Sequence, residues 1–111
     1  MKKFLALYQS PISAMERMKG ATPEQAKAGM DAWMNWKKNN EDMIVDFGMP
    51  LGDGKVVAGS SVSDGNNTVS GYSILQGDSM ESVTKKLKDH PHFMLPGSTI
   101  EVREFLSMPG M

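Results

Sequence analysis

The chain has 111 residues, no cysteine, and a formal charge of −1 from 12 Lys+Arg against 13 Asp+Glu. That length predicts one domain able to fold on its own core, and the missing cysteines exclude disulfides and thiolate–zinc staples. The balanced charge leaves no basic excess to hold nucleic acid.

The opening stretch, MKKFLALYQS, places two lysines before an apolar run. The run is about six residues, short of the ~7–15 of a signal-peptide core, and no small-residue cleavage site follows. No stretch approaches the ~20 apolar residues of a membrane span. A soluble, cytoplasmic protein is the expectation. Eleven methionines suit a core or an adaptable binding surface.

Residues 3–9, KFLALYQ, read as a buried strand closed by Ser10-Pro11. Residues 11–21 support one or two loose turns between Pro11 and Gly20. A strong helix is predicted over 23–40: Thr22 caps it, Pro23 suits the first position, and Gln25 completes a capping box. Ala26, Met30, Trp33 and Met34 then form its apolar stripe, with Trp36 on the flank. MIVDFGMPLG (43–52) reads as a strand ending in a bend, and KVVAGSSV (55–62) as a strand or irregular edge. DGNN (64–67) is the expected hairpin turn before the strand TVSGYSILQG (68–77). A second helix is predicted from a cap at Asp78, with Glu81 reciprocal, to about residue 88. Its stripe is Met80, Val83 and Leu87. Pro91 stops it, and STIEVREFL (98–106) closes the chain as a strand.

This order predicts an α+β, ferredoxin-like βαββαβ fold: an antiparallel sheet with two helices on one face. Apolar residues on both sides of the strands (Leu5 and Leu7 against Phe4 and Ala6; Ile44 against Val45 and Phe47) predict that the bare face is also covered. A homodimer through that open sheet face satisfies the pattern.

His90 and His92, the only histidines, flank Pro91 in DHPHF. In an extended segment they point the same way and could chelate a metal. No local third ligand is offered, because Asp89 would point oppositely; no metal is expected. They could instead act as acid/base or hydrogen-bond donor in a small-molecule site, or belong to the helix stop. Asp46 in an apolar strand is either solvated or a pocket carboxylate. Gly48 and Pro50 shape a rigid bend where backbone can approach a ligand. Trp33 and Trp36 are core or pocket wall. GDG (52–54) lacks phosphate- and dinucleotide-binding patterns, and Ser60, Ser61 and Ser63 have no adjacent base. No cofactor is expected.

Taken together, KFLALYQ, PEQAKAGMDAWMNWKK, IVDFGMPLG, GYSILQGDSMESVTKKLKDHP and IEVREF resemble the YCII-related proteins, small ferredoxin-like chains that form dimeric α+β barrels. The resemblance spans nearly the whole chain as a pattern. The family's G-P-hydrophobic bend reads Gly48-Met49-Pro50-Leu51 here, with the proline one place later. Its Asp-Pro-aromatic stretch reads His90-Pro91-His92-Phe93. The family's suspected catalytic pair includes a histidine on the first helix, and residues 23–40 contain none, so that pair is not carried over. The resemblance implies a cleft between helices and sheet, partly closed by the partner. Related barrels hold small organic molecules there, and include isomerases, dehydrochlorinases and monooxygenases working without metals.

The resulting expectation is a small-molecule-binding protein, either a cofactor-free lyase or isomerase or a non-catalytic binding or interaction module. Its site would use His90, His92 and Asp46, with Trp33, Trp36, Met49, Tyr72 and Phe93 lining the pocket.

Overall fold

A computed structural model of the chain describes residues 1–110. Six strands, β1 (Lys2–Gln9), β2 (Ile44–Asp46), β3 (Lys55–Ala58), β4 (Ser61–Asp64), β5 (Val69–Gly77) and β6 (Thr99–Glu104), alternate with three helices, α1 (Ala14–Gly20), α2 (Pro23–Asn39) and α3 (Met80–Leu87). The main sheet has the order β2-β5-β1-β6 with antiparallel neighbours. This is the ferredoxin-like arrangement, with β3 and β4 forming a separate hairpin.

The strand period of two sorts the sheet into its faces. Phe4, Ala6 and Tyr8 of β1 and Ser73 and Leu75 of β5 point to the helix side and are buried. Against them pack Trp36 of α2, Met43, and Val83 and Leu87 of α3. Burying an aliphatic side chain such as Leu75 stabilises by about 1.5–3 kcal/mol. Leu5, Leu7, Tyr72 and Ile74 point the other way and remain half-exposed.

The capping box of α2 forms as its sequence dictates: Thr22 Oγ1 accepts from Gln25 N–H at 3.1 Å, and Gln25 Oε1 accepts from Thr22 N–H at 3.0 Å. Other boundaries move. Residues 14–20 make a true helix, capped by Ser13. Ser79 rather than Asp78 caps α3, because its hydroxyl reaches Ser82 N–H while Ser82 returns the bond. The hairpin turns at Gly59-Ser60, where Gly59 adopts φ +63, and not at residues 64–67. Those residues link the hairpin back to β5.

The bend after β2 requires its glycine. Gly48 has φ +81, and a Cβ there would overlap the Tyr72 carbonyl. A Cβ on Gly77 would crowd Val83 Cγ2, and its absence lets α3 sit directly on β5. No helix among the described residues is long and apolar enough to cross a membrane.

Candidate functional site

The segment after α3 is a tight turn rather than an extended strand. Pro91 forces His90 out of helical geometry, to φ −65 and ψ 138, and a 3-10 turn runs from Pro91 to Met94. His90 caps that turn: its Nδ1 accepts the His92 backbone N–H at 2.9 Å. Both imidazoles are buried, at 2% and 1% exposure.

His92 serves the backbone. Its Nε2 lies 2.9 Å from the Gln9 carbonyl and 3.1 Å from the Thr99 carbonyl. Two carbonyls can only accept, so Nε2 carries the proton and donates to both. The ring thereby latches the turn onto β1 and β6 where these strands finish pairing. Burial pushes the His92 imidazole below its ordinary range; the Gln9 and Thr99 carbonyls pull it back, and the Arg17 guanidinium pushes it down again.

His90 is placed differently. With Nδ1 occupied as an acceptor, the neutral ring holds its proton on Nε2. That Nε2 is buried and has no hydrogen-bond partner among the described residues. An orphaned donor of this kind costs about 1–3 kcal/mol. Aromatic rings surround it, with centroids at 4.3 Å for Trp36, 4.5 Å for Trp33 and 5.0 Å for Tyr8. Burial, helped by the neighbouring His92, holds His90 down at about 3. It is therefore a neutral imidazole with one unspent N–H. With the proton already on Nε2, that nitrogen cannot act as a base; its chemistry is to donate a hydrogen bond.

A polar chain extends from this cluster. Tyr8 Oη donates to Ser73 Oγ at 2.8 Å, and Ser73 Oγ donates to the Phe47 carbonyl at 2.6 Å. Burial pushes the Tyr8 phenol up to about 12, with the Ser73 bond opposing the shift. Both hydroxyls are paired, which isolates His90 Nε2 as the free donor.

Beside His90 an open groove of about 860 Å³ runs between the C-terminal half of α2 and the turn after α3. Asn35, Trp36, Asn39, His90, Phe93 and Met94 line it, with Lys86 and Lys88 on its margin.

The structure thus gathers His90, His92, Trp33 and Trp36 into one cluster, with Phe93 on the groove wall. It does not bring Asp46, Met49 or Tyr72 to it. Asp46 is exposed, and its Oδ1 accepts from Gly48 N–H at 2.9 Å, so the carboxylate fixes its own bend rather than an imidazole. Met49 is 69% exposed on that bend. Tyr72 pairs with Leu7 in the register that puts both on the open sheet face, opposite Tyr8. Tyr8 and Ser73 are the members that motif reading passes over; the alternation Phe4, Ala6, Tyr8 is the signal that could have found the first. Among the described residues no three His, Asp or Glu side chains are grouped to hold a metal ion.

No family model and no curated protein sequence matches the chain. Among solved structures the chain is similar to 5-chloro-2-hydroxyhydroquinone dehydrochlorinase (TftG) from Burkholderia phenoliruptrix AC1100, in complex with 2,5-dihydroxybenzoquinone. The two share 15% identity over 91% of each chain, with a TM-score of 0.49.

Proposed function

We propose that this chain is a cytoplasmic, YCII-like single domain that binds a small planar organic molecule in the groove beside His90, whose Nε2–H donates to a ligand oxygen. The observation that carries the reading is the orphaned, nine-tenths-buried Nε2 among three aromatic rings. Pockets for organic ligands pair apolar and aromatic walls with a few fixed polar groups. Trp33 and Trp36 provide ring faces, and His90 provides the directional bond once Trp36 or Phe93 shifts to admit the ligand.

A lyase or isomerase at this site would use His90 as a neutral electrophile, stabilising negative charge on a carbonyl oxygen, as in sites where a depressed imidazole polarises its substrate. Proton shuttling by His90 with Asp46 as its orienting partner does not fit, because Asp46 is committed to Gly48 N–H. His92 positions the turn. A non-catalytic binding module needs the same donor and differs only in turning nothing over. The domain is proposed to pair with a second copy through the half-exposed face carrying Leu5, Leu7, Tyr72 and Ile74.

The test uses Trp fluorescence and a panel of aromatic aldehydes and ketones, with hydrocarbon analogues as controls. Oxygen-bearing members should bind and their hydrocarbon counterparts should not. His90→Asn keeps an acceptor for His92 N–H but lacks the Nε2 donor, and should lose binding; His90→Gln, which can extend an amide N–H toward the same place, should retain part of it. Equal binding by His90→Asn and the native chain would refute the reading.

A further inference from the structure

The β3–β4 hairpin is built as an arm that no other element among the described residues covers. Its two strands pair Lys55 with Asp64, Val56 with Ser63, Val57 with Val62 and Ala58 with Ser61. Alternation puts Lys55, Val57, Val62 and Asp64 on one face, with the Lys55–Asp64 ion pair at its base. Every residue of both strands is exposed, and the cross-strand valines stand at 72% and 65% exposure. The tie to the body lies at its root, where Leu51 N–H donates to the Ser70 carbonyl, while Gly65 N–H to the Gly54 carbonyl closes the two legs on each other. The radius of gyration, 15.5 Å, exceeds the roughly 13 Å of a compact chain of this length.

A lone two-stranded hairpin is marginally stable in water, and an apolar cross-strand pair gains little until something covers it. The same chain carries a second uncovered apolar surface, the open sheet face with Leu5, Leu7, Tyr72 and Ile74. Four strands about 4.8 Å apart and at most nine residues long make that face roughly 570 Å² in projection. A stable interface takes about 800 Å² from each partner. The sheet alone falls short, and the arm offers further apolar surface on a projecting element.

We infer that the β3–β4 hairpin is a dimerisation arm whose Val57–Val62 face closes on a second copy of this chain. Under a two-fold operator each arm reaches the other subunit, so one symmetric contact covers both arms and both sheet faces. The tip, Ala58-Gly59-Ser60-Ser61, carries no charge, so it can lie against another subunit without desolvating an ion. The inference rests on the sheet-to-sheet dimer proposed above.

Analytical ultracentrifugation of three proteins separates the two ideas: the native chain, Val57→Thr/Val62→Thr, and Leu7→Glu in the open face. The native chain should sediment as a dimer across the micromolar range, and Leu7→Glu as a monomer. The arm variant, which keeps β-branched side chains, should dissociate with a constant raised about 10-fold or more, since two apolar contacts are lost from each arm. Hydrogen exchange at the Val57 and Val62 amides should slow on dimerisation and quicken on dilution. An unchanged dissociation constant in the arm variant, or amide exchange independent of concentration, overturns the arm while leaving the sheet dimer standing. A monomeric native chain overturns both.

Discussion

Two regions of this molecule treat apolar side chains in opposite ways. Around His90, Tyr8, Trp33 and Trp36 meet two imidazoles in a closed cluster. In the β3–β4 arm, valines of high strand propensity stand in solvent. The first region follows from the sheet pleat: the alternation that buries Phe4 and Ala6 carries Tyr8 into the same layer, and α2 brings its two tryptophans down on it. The second has pairing but no layer. Packing within one chain explains the cluster; the arm has no such layer within the described residues.

That contrast can be broken first at the cluster, where the largest effects are expected. Trp36→Ala should destabilise the fold by about 3–5 kcal/mol in a denaturant titration, the range for truncating a buried aromatic. His92→Ala strips the donor from the Gln9 and Thr99 carbonyls and should cost about 1–3 kcal/mol, with β6 amides losing exchange protection first. A loss as large as that of Trp36→Ala would mean that the ring acts mainly by packing.

Acid sharpens the same point. Both imidazoles are neutral in the fold, with folded pKa values below the ordinary 6.5. Below pH 6.5 the unfolded chain therefore binds more protons than the native one. The stability from the neutral rings is complete above that pH and is lost as pH falls below it, for His90 down to about 3. Each ring contributes a slope of at most about 1.4 kcal/mol per pH unit. His90→Gln should flatten the dependence; an unchanged profile would assign it to other groups.

The smallest effects belong to the exposed regions. Asp46→Ala, which removes the acceptor for Gly48 N–H, should cost about 0.5–1.5 kcal/mol. Val57→Thr, measured under conditions where the chain is monomeric, should stay within about 0.5 kcal/mol. A large monomer effect there would show that the arm packs on its own body.

Much of this was legible in the residues. The α2 capping box, Val83 and Leu87 of the α3 stripe and the stop at Pro91 are local signals, and the structure keeps them, while Met80 of that stripe is exposed. The strand order follows from the sequence of elements. The site was legible only in part. HPH read as extended places two imidazoles side by side, whereas Pro91 starts a 3-10 turn in which one ring caps the other's backbone. Asp46 among apolar neighbours read as either solvated or a pocket carboxylate, and the structure leaves it exposed, capturing the N–H of Gly48 two residues on. Tyr72 looked like pocket wall, and the pleat turns it away. These differences share one cause: residue type marks a candidate, while direction comes from register and turn geometry.

The central claim is that His90 is a neutral imidazole with its proton on an unpaired Nε2. Two-bond 1H–15N spectra of ring-labelled protein report the tautomer and charge of each histidine directly. They should show both rings as neutral Nε2–H tautomers at pH 7, and His90 still so at about pH 5, with the His90 Nε2 signal shifting when an aromatic ketone binds. A His90 that titrates near its ordinary value, or carries its proton on Nδ1, would contradict the account.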